Sequence, residues 1–104
     1  MANGEIPVQF VLNSDRVFAI ADIAPQAPTH ILIIPKLHEE SAAKLAGSVP
    51  QLLAEMFKVA GELAQARGLD GYRSVFNTGE SAGQSVFHAH LHLLGGRPFA
   101  WPPG

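Results

Sequence analysis

Three histidines alternate with apolar residues in the run from His88 to Leu94, at positions 88, 90 and 92. Side chains point alternately to the two faces of a β-strand, so a strand over this run would place the three imidazoles on one face. An imidazole, with an ordinary pKa of about 6.5, can attack, accept or donate a proton near neutral pH. Folding does not require such a row, and the pattern therefore predicts a nucleophilic or acid–base site.

The same row of imidazoles has a second interpretation, a metal site on a strand. Zinc binds neutral imidazole nitrogen readily. The first and third rings would lie about 7 Å apart along a strand, so one ion would need further ligands from elsewhere in the chain. We predict that no metal or other cofactor is used, and the metal site stays the alternative.

Short β-prone runs surround this row and predict the strands that position it. Residues 8–12 and 17–21 flank a turn cluster and indicate a hairpin, and residues 30–34 form a third apolar run that ends at Pro35. Two further strands are predicted over 72–77 and 88–94. The polar segment between these last two strands contains Gly79 and Gly83.

One long segment has the spacing of a helix. Apolar residues from Val49 to Ala64 recur at i, i+3, i+4 and i+7, which is typical of one helical face. Ser48 and Gln51 are spaced as a capping box, and Gly68 suits the left-handed end of the helix. A short helical turn is predicted over 41–46. The order of elements predicts an α+β fold, with an antiparallel sheet of about five strands, one main helix and one domain over residues 1–104.

Composition narrows the classes of partner and location. The 104 residues are 47% hydrophobic and 15% charged, a composition that predicts a globular protein with a core. The net charge is −2, so the chain lacks the positive potential that binding a nucleic-acid polymer requires. It has no cysteine, no secretory signal pattern and no apolar run of the roughly 20 residues needed to span a membrane. We therefore expect a cytoplasmic protein with no membrane partner.

Most of the chain resembles a known family. The run His-apolar-His-apolar-His-apolar-apolar at 88–94 is similar to the signature of the histidine triad superfamily of nucleotide hydrolases and transferases. The resemblance extends to the Hint branch, the histidine triad nucleotide-binding proteins, through six further segments: Gly4-Glu5-Ile6-Pro7, Asp22 to His30, Ile34-Pro35-Lys36, Gly71-Tyr72-Arg73, Gly83 to Val86 and the tail from Leu94 to Gly104. It implies the fold of that superfamily.

The resemblance also implies a role for each site residue. His90 would be the nucleophile, with its second nitrogen donating to the carbonyl of His88, and His92 would bind the phosphate oxygens. Asp22 would accept hydrogen bonds from the ribose hydroxyls. The remaining implied roles are base contact by Ile20 and Ile23, phosphate or leaving-group contact by Asn77, Ser85 and the backbone of Gly83, Gln84 and Ser85, support by the imidazole of His30, and contact with the leaving group by Trp101. We assign His38 no function.

The implied reaction is hydrolysis of purine nucleoside phosphoramidates, because the third triad position is His92 rather than the glutamine of the related transferases. The ligand would be a purine nucleoside monophosphate or phosphoramidate. A nucleotide-binding regulatory module with incidental turnover remains an alternative. We also expect a homodimer joined through the strand at 72–77, with Met56, Phe57 and Val59 broadening the apolar surface of the helix.

Overall fold

The computed structural model describes residues 9–104, which form one antiparallel sheet and two α-helices. The segment Gly4 to Pro7 and the predicted strand residue Val8 lie outside the described residues. In chain order the elements are β1 (Phe10–Asn13), β2 (Val17–Ala21), β3 (Thr29–Pro35), α1 (Ala42–Ser48), α2 (Pro50–Ala66), β4 (Tyr72–Val75), a 3-10 turn (Glu80–Ala82) and β5 (Leu91–Gly95).

The sheet has the strand order β1-β2-β3-β5-β4, and every neighbouring pair is antiparallel. This confirms the predicted α+β class and the five strands. β3 lies in the middle of the sheet and is almost entirely buried. It pairs with β5 so that Leu32 lies opposite His92 and His30 lies opposite Leu94. His30, the one histidine of β3, and His92, the one triad histidine on β5, therefore share one face of the sheet.

The two faces of the sheet carry two different apolar clusters. On one face, alternate residues of β2, β3 and β5 pack against α2: Val17, Ala19, Ile31, Ile33, Leu91 and Leu93. The helix contributes Leu52, Met56, Val59, Ala60 and Leu63 to this core. The opposite face has a smaller apolar cluster of Phe18, Ile20 and Ile34 with Leu32 beside it. This second face also holds His30 and His92, so the helix supports the sheet from behind while the imidazoles face away from it.

The predicted capping of the long helix was wrong. Ser48 ends α1, and α2 begins at Pro50 without a side-chain cap at Val49. Proline suits the first turn because its missing N–H needs no partner there. The side-chain cap lies earlier, where Ser41 Oγ accepts the backbone N–H of Lys44 at 3.3 Å. The helix end was predicted correctly, since Gly68 has the left-handed φ of 67°.

Both predicted C-terminal strands were too long. β4 ends at Val75 rather than residue 77, and β5 begins at Leu91 rather than His88. Residues 88–90 leave the strand ladder because the Ala89 N–H donates to the carbonyl of Glu39, at 2.7 Å, in the loop after β3. Only His92 of the three histidines therefore lies on a strand, and the expectation of one row of imidazoles on a strand was wrong.

The surface of α2 also differs from expectation. Met56 and Val59 were predicted to broaden its exposed apolar surface, but they are 0% and 7% exposed within the core of the chain itself. Phe57 remains 46% exposed and packs edge-on against Phe76, with ring centroids 5.9 Å apart.

Within residues 9–104 no helix is long and apolar enough to cross a membrane.

Candidate active site

Three histidines from two segments meet on the face of the sheet opposite α2. His30 lies near the start of β3, His92 lies on β5, and His90 precedes β5 by one residue. The ring centroids of His30 and His92 are 5.2 Å apart, and those of His90 and His92 are 5.0 Å apart. The structure therefore brings together the predicted nucleophile, phosphate ligand and supporting imidazole, although they do not share one strand.

Backbone donors determine which nitrogens of His30 and His92 carry protons. The N–H of Gln26 donates to His30 Nδ1 at 3.0 Å, so that nitrogen holds a lone pair and the ring proton is on Nε2. His30 Nε2 then donates to His92 Nδ1 at 2.9 Å. A neutral His92 consequently carries its proton on Nε2. Within residues 9–104 this Nε2 is buried without a hydrogen-bond partner, so the chain of donors ends in an unpartnered N–H.

The surroundings of His92 favour this neutral form. Burial lowers the pKa of His92 below its ordinary value, and the neighbouring His90 and His30 lower it further, while Asp22 opposes them. In the neutral ring, His92 Nδ1 accepts the His30 Nε2–H. Protonation of His92 would put a proton on this Nδ1, so that two N–H groups would face each other. His92 is thus a neutral hydrogen-bond donor at physiological pH.

His90 has the complementary arrangement. Its Nδ1 is 2.8 Å from the carbonyl oxygen of His88, and a carbonyl only accepts, so Nδ1 carries the proton. Nε2 of a neutral His90 therefore holds a free lone pair. This is the geometry expected for a nucleophile, and it places a lone pair on one ring beside a buried N–H on the next.

His88 lies apart from the other triad rings and faces the end of β3 and the loop that follows it. Its Nε2 donates to the carbonyl of Pro35 at 2.7 Å, and its Nδ1 is 2.9 Å from Nδ1 of His38. No function was predicted for His38. No spacing in the sequence links positions 38 and 88, and only the fold brings them together.

The polar loop before the triad contains two glycines with left-handed backbone, Gly79 and Gly83, with φ of 89° and 94°. Gln84 was predicted to contact nucleotide through its backbone; the residue is 3% exposed, and its side chain is used within the protein. Its Oε1 accepts the N–H of Gly79 at 2.8 Å, and its Nε2 donates to the carbonyls of Glu40 and Val86 at 2.7 and 3.1 Å. Gln84 therefore holds the loop in shape, and its amide is not free for a ligand.

The other predicted loop residues are accessible. Ser85 is exposed and Asn77 is half-buried, on the two sides of the 3-10 turn. The backbone N–H of Gln84 is not available, because it donates to the carbonyl of Gly79 at 3.1 Å. The side chains of Asn77 and Ser85 are consequently the better candidates for contact with a phosphate.

Asp22 follows β2 and lies next to the imidazoles. Its Oδ1 accepts the N–H of Ala24 at 2.8 Å, which orients the carboxylate, and its Oδ2 is 3.4 Å from His30 Nε2. A carboxylate has about four lone-pair positions, so it can accept further hydrogen bonds. Of the two predicted apolar contacts, Ile23 is fully exposed while Ile20 is only 6% exposed within the smaller apolar cluster.

The C-terminal tail contacts Arg73 of the edge strand β4. Arg73 and Arg97 lie over the ring of Phe99, with guanidinium carbons 5.1 and 4.3 Å from its centroid. Arg73 also donates to the carbonyl of Ala100. Trp101 is 83% exposed. Among residues 9–104, the imidazoles make their aromatic contacts with one another and none with Trp101.

Asp22, His30 and His92 also form a group whose ligand atoms lie within 4.8 Å of one another. They do not fit a metal ion as they are arranged. His30 Nε2 carries a proton, because Nδ1 accepts from Gln26. The two ring nitrogens are 2.9 Å apart, whereas two ligands at about 2.0 Å from a tetrahedral zinc lie about 3.3 Å apart. The spacing matches a shared proton. The predicted alternative of a metal bound by the strand row is not supported either, since that row does not form.

Comparisons with known proteins place this arrangement in a family. The family model described as the HIT domain matches residues 3–99. A purine nucleoside phosphoramidase of Escherichia coli is 47% identical over 96 residues, covering 90% of this chain and 81% of that protein. A 14 kDa zinc-binding protein of Zea mays is 50% identical over 103 residues, covering 96% and 80%.

A solved structure extends the likeness to the whole fold. The HIT family hydrolase of Legionella pneumophila superposes with a TM-score of 0.94 at 50% identity, covering 100% of this chain and 95% of that one. The matched family region includes both imidazole-bearing segments and the polar loop between β4 and β5. The chain belongs to the HIT domain family.

Proposed function

We propose that this protein hydrolyses the phosphorus–nitrogen bond of purine nucleoside phosphoramidates through a covalent intermediate on His90. The observation that carries the proposal is the complementary pair of ring nitrogens, a free lone pair at His90 Nε2 beside a buried, unpartnered N–H at His92 Nε2. A nucleophile next to a donor that can bind a developing negative charge is what substitution at phosphorus requires. The Escherichia coli relative is named for this activity.

The reaction proceeds in two substitutions. In the first, the His90 Nε2 lone pair attacks phosphorus, and the phosphorus–nitrogen bond breaks with its electron pair going to nitrogen. The nitrogen takes a proton from solvent and leaves as an amine. The positive charge that develops on the ring is stabilised by the Nδ1–H donated to the His88 carbonyl. In the second, water attacks phosphorus, the bond to His90 breaks, and a nucleoside monophosphate and a proton are released.

The hydrogen bond from His30 keeps the proton of His92 on Nε2, where it can bind a phosphate oxygen. A phosphate oxygen that accepts the His92 Nε2–H satisfies a buried donor whose isolation costs about 1–3 kcal/mol. Attack increases negative charge on that oxygen and strengthens the bond, so the interaction is larger in the transition state than in the ground state. Asp22 orients His30 with one oxygen and keeps lone pairs for the ribose hydroxyls.

The remaining predicted contacts complete the ligand site. Exposed Ile23 offers apolar surface to a purine, with Ile20 beneath it as support. Asn77 and Ser85 donate to the phosphate or the leaving group, and Gly83 lets the backbone approach closely. The reaction needs no resident metal or cofactor in this scheme. The zinc named for the maize relative is not carried over to Asp22, His30 and His92, whose donors do not fit it.

The direct test is the intact mass of the protein quenched during turnover of adenosine 5′-phosphoramidate. The wild type should carry an adenylyl adduct, and His90→Ala should carry none while still binding the nucleoside monophosphate. Gln65→Ala removes an exposed polar side chain from α2 and serves as the control variant. If the wild type formed no adduct and cleaved negligible substrate but bound nucleotide, the regulatory binding module would replace the enzyme.

The proposal includes a homodimer that joins two sheets at β4. This strand lies at the edge of the sheet and exposes 44% of Tyr72, and the exposed Phe57 of α2 lies on the same side through its contact with Phe76. An edge strand with adjacent apolar surface favours pairing about a two-fold axis. Sedimentation at micromolar concentration should give twice the chain mass, and an active monomer would refute the dimer. The cytoplasmic location stays a prediction.

A further inference from the structure

The segment just before the nucleophile is held by the end of β3 and the loop that follows it. Residues 84–89 precede β5 and make three hydrogen bonds to residues 35–40 through main-chain carbonyls. Gln84 Nε2 donates to Glu40, the Ala89 N–H donates to Glu39, and His88 Nε2 donates to Pro35. The acceptor of the His90 Nδ1–H, the carbonyl of His88, lies within this segment.

His38 adds the one side-chain contact between this loop and the His88 ring. Because His88 Nε2 must donate to the Pro35 carbonyl, Nδ1 of a neutral His88 holds a lone pair. Nδ1 of His38, 2.9 Å away, is therefore the donor. The His88 ring is thereby held at both nitrogens, from Pro35 on one side and from His38 on the other.

We propose that His38 is a positioning residue for the nucleophile, which acts by holding the His88 ring and, through it, the carbonyl that orients His90. The inference rests on the proposed function of His90 and concerns a residue that does not touch the substrate. His38 is exposed, and its contact is an imidazole–imidazole hydrogen bond. The 2.9 Å separation of the two nitrogens matches a shared proton and is shorter than the roughly 3.3 Å between two ligands of a tetrahedral zinc.

Two substitutions separate positioning from simple structural support. His38→Ala removes the donor, whereas His38→Asn keeps an N–H close to the place of Nδ1. With adenosine 5′-phosphoramidate as substrate, His38→Ala should lower kcat about five- to ten-fold, the worth of one hydrogen bond, with KM unchanged. His38→Asn should restore most of the rate. The urea unfolding midpoints of both variants should equal that of the wild type, because the side chain is exposed.

A second measurement needs no turnover. In the free protein, the His90 Nδ1–H should give a protected proton resonance by NMR, which should exchange faster with water in His38→Ala and recover in His38→Asn. If the wild type proved inactive, the proposed function would fail, and this comparison would still decide whether His38 orders His90.

Several outcomes would overturn the role of His38. An unchanged kcat and an unchanged His90 resonance in His38→Ala would show that the contact is idle. A raised KM at constant kcat would mean that His38 binds substrate. An equal loss of rate in both variants, together with a lower unfolding midpoint, would reduce the residue to structural support. Loss of rate on chelation with recovery on adding zinc would show that the histidine pair holds a metal.

Discussion

Substitution of Gln84 by alanine tests the interpretation that this buried amide holds the active-site loop. Its side chain is 3% exposed and makes three hydrogen bonds, one accepted from Gly79 and two donated to Glu40 and Val86. These bonds close the loop from residue 79 to residue 84 and tie it to the segment before α1. Gln84→Ala removes all three at once and leaves their partners behind.

The size of the effect follows from these contacts. Each hydrogen bond contributes about 0.5–1.5 kcal/mol net, and a partner left buried without water costs more. Val86 is exposed and Gly79 half-buried, so water can reach part of the gap. We therefore expect the free energy of unfolding to fall by about 2–4 kcal/mol, a large fraction of the roughly 5–15 kcal/mol typical of a domain.

The assay is equilibrium unfolding in urea at fixed protein concentration, with Gln65→Ala as an exposed-glutamine control that should change stability by less than about 0.5 kcal/mol. The matched variant Gln84→Glu keeps the shape but turns a carboxylate oxygen toward two carbonyls. Its folded state should favour the protonated acid, so its stability should rise as pH falls, because the folded protein then binds more protons than the unfolded one.

Two results would refute this reasoning. If Gln84→Ala changed the unfolding free energy no more than Gln65→Ala, the amide would not hold the loop. If Gln84→Glu were as stable as the wild type at neutral pH, the donors to Glu40 and Val86 would contribute nothing.

Three further predictions concern the site and the fold. Asp22→Asn should lower the pKa of His92 further in an NMR titration, since Asp22 opposes the lowering, and an unchanged titration would contradict this. A lowered pKa means that the folded protein binds fewer protons than the unfolded chain. The stability associated with neutral His92 should therefore be full above the unfolded pKa and be lost as pH falls toward the folded pKa. Ser41→Ala should cost about 1 kcal/mol in urea unfolding by removing the cap on Lys44 N–H, and no loss would contradict the cap. Trp101→Ala should change selectivity among leaving amines more than nucleotide affinity in competition assays, and unchanged selectivity would exclude a shared site.

Much of the fold could be predicted because it follows from local patterns. The helical spacing of α2, the left-handed end at Gly68 and the short apolar runs of β2 and β3 each depend on a few consecutive residues. Errors arose where two local signals competed or where partners were distant. Ser48 had cap spacing, but Pro50 determined the start of α2.

The sequence by itself determined the composition of the core, the five-strand α+β class and the likeness to the histidine triad proteins, because hydrophobic periodicity and a motif are properties of neighbouring residues. The tertiary structure alone decided which nitrogens carry protons and which side chains meet. His30 and His92 are 62 positions apart, and His38 and His88 are 50 apart. Such contacts depend on how β3 pairs with β5 and on the carbonyl of Pro35 at the distant end of β3, so no local spacing encodes them.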